Sequence, residues 1–177
     1  KTNPEARLLV QHSWSARGLR GADAQAEFTV ESHNAVTLAQ LQAAEPGVEA
    51  YLARLRGQLD GVNARAGKPI AYVVPAASAV SQLRRQILAN KVPGLTRQSD
   101  LFIDAVGHPK PPLANLVSYV WFAVMYRQSP LGLTAFVNPA DPTSAPRERL
   151  LQQIAWNAAV GEPMSGVKGP ALALDYD

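Results

Sequence analysis

Two short apolar runs separated by a helical pattern constrain the fold of this chain more than any other feature. Residues 7–12 are apolar in the middle, and residues 69–75 are β-branched and bounded by prolines. Such runs predict strands that are covered on both faces. Strands that alternate with helices predict an α/β fold built on a parallel sheet.

Four amphipathic helices are predicted around these strands, because apolar residues recur at three- and four-residue steps. They cover residues 48–66, 78–90, 113–125 and 146–160. The first is expected to point Val48, Tyr51, Leu52 and Leu59 inward and to end at Gly67. The third follows Lys110-Pro111-Pro112 and is apolar on most sides, which predicts a central position.

The expected architecture is one α/β domain over residues 1–160, with helices on both sides of a three-layer parallel sheet. Residues 161–177 are rich in Gly and Pro and are predicted to form a surface tail. Two strands make a poor sheet. Further strands are therefore expected, either unrecognised in the chain or missing at its N-terminal side.

Composition excludes several classes of protein. Of the 177 residues, 47% are hydrophobic and 18% are charged, as in a globular domain. The net charge of +3 comes from scattered basic residues, so a nucleic-acid-binding face is not expected. The chain has no cysteine for a disulfide or a thiolate zinc site. It shows no membrane span and no apolar signal segment at its start.

The segment Asp104-Ala-Val-Gly-His108-Pro109 is the strongest candidate for chemistry. A histidine acts as a general base when a carboxylate holds its far ring nitrogen. An aspartate and a histidine four residues apart on a tight loop can reach each other, and Gly107 lets the backbone turn. On spacing alone, a surface turn with an incidental histidine remains the alternative.

Polar residues also follow both predicted strands, at the edge where ligands bind in parallel sheets. Ser13 and Ser15 follow the first strand and Ser78 follows the second. Each is a candidate nucleophile, although none has the glycine flanks of a nucleophile elbow. Turn hydroxyls or a helix cap are the alternative. Trp14, with Ser15, is a candidate substrate contact, and a core position for Trp14 is equally compatible with the sequence.

The remaining histidines, His12 and His33, could in principle form a three-histidine metal site with His108. No pair has the spacing of metal ligands on one helix, so no metal is expected. Trp121 and Trp156 fall on apolar helix faces, which predicts core positions.

A longer pattern resembles the closing block of the SGNH-type (GDSL-like) serine hydrolases. That block has an Asp–His element, a final core helix and a small-residue stretch. The matching residues here are 104–109, 119–123 and 129–132. Upstream, residues 3–15 and 67–76 resemble the late strands of the same family.

This resemblance implies a flavodoxin-like three-layer sheet and ester hydrolysis through an acyl-enzyme. His108 would be the general base, and Asp104, or Asp100 as a second choice, its orienting carboxylate. No cofactor is implied. Substrates would be small or glycan esters, for example acetyl esters of carbohydrates, and members of the family are often exported.

The family's nucleophile lies in a Gly-Asp-Ser element that does not occur in this chain. The resemblance therefore implies a serine on a preceding segment or on a partner polypeptide, with Ser13 as the resident candidate. The alternative is a non-catalytic binding or structural domain that kept the fold and the Asp–His loop.

Overall fold

A two-stranded parallel sheet lies inside a mostly helical chain. The computed structural model describes residues 3, 5–14 and 29–175. Strand β1 is Leu8–Gln11 and strand β2 is Ala71–Val74, and Leu8 pairs with Ala71. The predicted α/β class and both predicted strands are confirmed.

Helices cover both faces of this sheet because the side chains of β2 alternate. Ala71 and Val73 pack with Leu52 and Leu59 of helix α1, which is Leu38–Ala66. Tyr72 and Val74 point the other way, into the main hydrophobic core. That core is built by helices α2 (Ala76–Leu88), α3 (Pro111–Tyr126) and α4 (Ser144–Gly161).

All four predicted helices are present, and the expected burial of α3 and α4 is confirmed. Leu113 and Leu116 of α3 are fully buried, as is Leu150 of α4. Trp156 is also buried, whereas Trp121 is partly buried and donates its indole N–H to the Gln11 side chain at 2.6 Å.

Helix α1 begins ten residues earlier than the sequence pattern predicted, at Leu38 instead of residue 48. A capping box starts it. Thr37 Oγ1 accepts a hydrogen bond from the Gln40 backbone N–H at 3.2 Å, and the Thr37 N–H donates to Gln40 Oε1 at 2.8 Å. Pro46 is accommodated inside the helix, which ends as predicted at Gly67 in the left-handed conformation.

The face predicted for the first half of α1 is partly wrong. Leu52 and Leu59 are buried as expected, but Val48 and Tyr51 are exposed. These two side chains border a cleft at the carboxyl ends of the strands and do not enter the core.

The predicted larger sheet is not found, since the described residues contain two strands only. The apolar run at residues 101–103 makes one isolated antiparallel bridge, between Phe102 and Pro109. Proline has no N–H to donate, so this pairing cannot grow into a ladder through Pro109.

The segment after Gly161 packs more closely than the predicted surface tail. It begins with a short 3-10 turn, Pro163–Ser165, and the side chains of Glu162, Val167 and Leu174 are buried. Val167 and Leu174 join the main core, so apolar burial holds the segment down despite its Gly and Pro content.

Over the described ranges, no helix is both long enough and apolar enough to cross a membrane.

Candidate active site

Two backbone hydrogen bonds hold the base of the Asp104–His108 loop. The Ile103 N–H donates to the His108 carbonyl at 2.8 Å, and the Lys110 N–H donates to the Leu101 carbonyl at 2.9 Å. Leu101 and its neighbour Phe102 are fully buried, which anchors the base of the loop in the core. Gly107 turns the chain at a φ of +90°, a conformation that suits glycine.

Asp104 and His108 are hydrogen-bonded within this loop, a contact that their spacing allows. Asp104 Oδ2 lies 2.5 Å from His108 Nδ1. The other carboxylate oxygen, Oδ1, accepts the backbone N–H groups of Gly107 at 3.0 Å and His108 at 3.1 Å. Both oxygens are thus engaged, and the plane of the carboxylate is held by the loop that carries the histidine.

These contacts favour the ionised form of Asp104. The hydrogen bond from His108 is the largest cause that lowers the pKa of the Asp104 carboxyl, and the two backbone N–H groups lower it further. A carboxylate accepts only, so Nδ1 must carry the hydrogen of this bond. A neutral His108 is then the tautomer whose Nε2 lone pair is free to take a proton.

His108 presents its other nitrogen to solvent. The side chain is 70% exposed, and Nε2 has no hydrogen-bond partner among the described residues. Asp104 is 41% exposed, and exposed pairs of this kind contribute little to folding stability. The arrangement is that of a base with its orienting carboxylate, open on the side where a reacting group would stand.

The loop after β1 reaches the Asp104–His108 loop. Trp14 donates its indole Nε1–H to the Gly107 carbonyl at 3.0 Å, across 93 residues of sequence. Trp14 is partly buried against the main core and also borders the cleft at the strand ends. Trp14 therefore contacts both the core and the cleft, and its role as a substrate contact stays a prediction.

His33 supports the loop from inside, a role that the sequence did not indicate. Its ring is buried against Phe102, with centroids 4.2 Å apart, and its Nε2 lies 3.3 Å from the Asp104 carbonyl oxygen. Burial lowers the pKa of His33. The contact joins residues 71 positions apart, so no local spacing could have shown it.

The structure does not bring a described serine to His108. Ser13 is exposed, and its Oγ accepts a hydrogen bond from Gln11 Nε2 at 2.7 Å. Ser78 lies in the first turn of α2 and borders the cleft. Ser15 lies outside the described residues.

Asp100, the second choice as partner of His108, does not serve in that role. Its Oδ2 accepts the Arg97 backbone N–H at 3.1 Å, at the start of the 3-10 helix Gln98–Leu101. The capping contact occupies this carboxylate locally.

The three histidines do not assemble a metal site. His12 stacks on Tyr51 at 5.4 Å beside the cleft, while His33 is buried behind the loop that exposes His108. No group of three His, Cys, Asp or Glu side chains within the described part of the chain could hold a metal ion.

Comparisons of the chain with protein-family models, with curated proteins and with solved structures gave no match.

Proposed function

We propose that this chain is part of an SGNH-type serine hydrolase that cleaves carboxylic esters, for example acetyl esters of carbohydrates. The observation that carries the proposal is the bond between Asp104 Oδ2 and His108 Nδ1, which leaves Nε2 open to solvent. A general base needs a fixed tautomer and an accessible lone pair.

In the proposed reaction, His108 Nε2 takes the proton of a serine hydroxyl as the serine oxygen attacks the ester carbonyl carbon. Asp104 stabilises the imidazolium that forms. His108 then returns the proton to the departing alkoxide oxygen, which leaves an acyl-enzyme. A water molecule, deprotonated by His108 in turn, attacks the acyl carbon. The bond to the serine oxygen then breaks, His108 returns the proton to that oxygen, and the carboxylic acid is released.

We further propose that the two strands belong to a larger, three-layer parallel sheet of the flavodoxin-like kind. Their parallel pairing and the helices on both faces support this. Among the described residues β1 pairs with β2 alone, so the other edge of β1 is available to a neighbouring strand. Such a strand, from a preceding segment or a partner polypeptide, would also supply the serine.

A fluorophosphonate probe, which reacts with activated serines, tests the proposal. We expect one stoichiometric adduct in the intact mass of the hydrolase, and we expect peptide mapping to find it on the nucleophile. If the nucleophile is resident, the adduct will lie on Ser13, Ser15 or Ser78.

Turnover of p-nitrophenyl acetate is the second readout. His108→Ala should lower it by two to four orders of magnitude, the usual contribution of a general base. Arg97→Ala, at an exposed position near the loop, is the control and should leave turnover unchanged. A His108→Ala variant with full turnover would overturn the assignment of the base.

A non-catalytic binding domain is the second candidate function. The observation that favours it is that no described serine hydroxyl is hydrogen-bonded to His108. A folded chain that forms no adduct and shows no turnover would support this candidate against the hydrolase.

A further inference from the structure

A cleft of about 840 Å³ opens at the carboxyl ends of β1 and β2, between α1 and α2. His12 and Trp14 follow β1 into it, and Leu41, Tyr51 and Leu52 line its α1 side. Asp104 and His108 are not part of its lining. Its volume lies within the range of small-molecule sites, and its wall is largely apolar and aromatic.

Two arginines pair with the three carboxylates around this cleft. Glu45 forms an ion pair with Arg85. Glu49 lies 2.6 Å from Arg56, whose guanidinium also binds the buried Glu162 at 2.8 Å. None of these ion pairs involves Arg84, the other arginine that borders the cleft.

Arg84 takes no part in these ion pairs. The residue is 2% exposed and borders the cleft. Its Nε–H donates to the neutral Gln98 Oε1 at 2.6 Å, and its Nη2 has no hydrogen-bond partner in the described part of the chain. No carboxylate of residues 29–175 forms an ion pair with it either.

Burying a guanidinium without a counter-charge costs free energy. Burial lowers the pKa of Arg84 to about 10, so the group remains charged at neutral pH. An anion placed against Nη2 would satisfy both the charge and the free N–H groups.

Two further groups at the cleft suit the same kind of ligand. His12 is 3% exposed, and its Nδ1 lacks a hydrogen-bond partner among the described residues. Burial lowers the pKa of His12, so this is a neutral imidazole that can donate a hydrogen bond. Helix α2 begins beside it with no side-chain cap, and Ser78 and Ser81 of that helix border the cleft. A helix N-terminus attracts negative charge.

We propose that the cleft binds a small organic carboxylate, with the carboxylate on Arg84 and His12 and an apolar or aromatic body against Trp14, Tyr51 and Leu52. Arg84 offers one positive charge, and the three carboxylates nearby have only two arginine partners, so a monoanion suits the cleft better than a doubly charged phosphate ester. The exposed side chains of Val48 and Tyr51, which the core does not use, provide apolar surface for the body of the ligand. This site does not depend on the nucleophile or on the Asp104–His108 pair.

The test compares two probes of the same shape, naphthalene-2-carboxylate and 2-naphthamide, by titration of the full chain in ¹H–¹⁵N correlation spectra. We expect the carboxylate to bind at least tenfold more tightly than the amide and to shift the backbone signals of His12 and of residues 77–81. Equal affinities, no binding of either probe, or shifts confined to the Asp104–His108 loop would each overturn the proposal.

Two variants test whether Arg84 provides the positive charge that binds the carboxylate. Arg84→Gln should reduce carboxylate affinity at least tenfold, to the level of the amide, and leave amide affinity unchanged. Arg65→Gln, at an exposed position of α1 outside the cleft, should change neither. Carboxylate affinity that survives Arg84→Gln in a folded variant contradicts the assignment of Arg84.

Arg84 is buried, so a variant that leaves it in place covers the case in which Arg84→Gln does not fold. Ser81→Trp fills the cleft from the surface of α2 and should abolish the binding of both probes. Unchanged affinities in Ser81→Trp would show that the probes bind elsewhere.

Discussion

The carboxamide of Asn63 takes the place of a strand partner at the outer edge of β2. Its Oδ1 accepts the backbone N–H groups of Ile70 and Ala71, each at 2.8 Å, and its Nδ2 donates to the Ala71 carbonyl at 3.2 Å. The contact joins the last turns of α1 to the start of β2. Asn63→Ala removes this contact between α1 and β2 and is therefore expected to destabilise the fold.

The size of the effect follows from the groups left without partners. Two N–H donors and one carbonyl lose their hydrogen bonds, and a buried unsatisfied group costs about 1–3 kcal/mol. The site is half-buried, so water recovers part of this. Alanine also regains roughly 0.7 kcal/mol as the better helix former. With roughly half of the cost of these three groups recovered by water, the expected net loss in the free energy of unfolding is about 1–4 kcal/mol.

Urea unfolding followed by far-UV circular dichroism measures this loss. Gln58→Ala, at an exposed position of the same helix, is the matched control and should stay within about 0.5 kcal/mol of the parent chain. Asn63→Asp keeps the acceptors but loses the Nδ2 donor, so it should fall between the two. If Asn63→Ala unfolds at the same urea concentration as Gln58→Ala, the strand-partner role is refuted.

Two further predictions concern the charged and polar pairs. His108→Ala removes the largest cause of the lowered pKa of Asp104, so that pKa should rise towards 3.8 in a carboxyl ¹³C titration. A carboxyl whose pKa is lowered by folding stabilises the fold at pH values above its ordinary pKa, and this stabilisation is lost as the pH falls through the pKa of the folded state. The variant lacks this contribution, so it should lose less stability in acid. An unchanged Asp104 pKa would contradict this. Tyr119→Phe removes a 3.0 Å hydrogen bond to the buried Glu148 carboxyl and should cost about 1–3 kcal/mol in urea unfolding. The exposed Tyr126→Phe is its control, and equal stability of the two variants would argue against the role of that bond.

Local features of the fold could be predicted because their signals lie within one turn or one strand. The apolar spacing in α3 and α4 and the β-branched run of β2 each reflect burial on a regular backbone. The sequence pattern predicts the start of α1 ten residues too late, because the regular apolar spacing begins only at Val48. The Thr37–Gln40 capping box was a local signal that could have located it.

The candidate site also combines contacts that local spacing could indicate with contacts that it could not. Asp104 and His108 lie four residues apart on one loop, so their hydrogen bond follows from short-range geometry. The contact of Trp14 with that loop and the support from His33 do not, because each bridges a long stretch of chain. The isolation of Arg84 depends on which side chains pack around it, and no motif encodes that.

The sequence by itself determined the α/β class, the presence of four helices and two strands, and that Asp104 and His108 can reach each other. These depend on periodicity and on near neighbours along the chain. Only the tertiary structure decided that two strands pair within the described residues, that the segment after Gly161 enters the core, and that a buried Arg84 borders a cleft beside His12. The physical reason is that packing and desolvation depend on residues far apart in sequence, whose encounter no local pattern specifies.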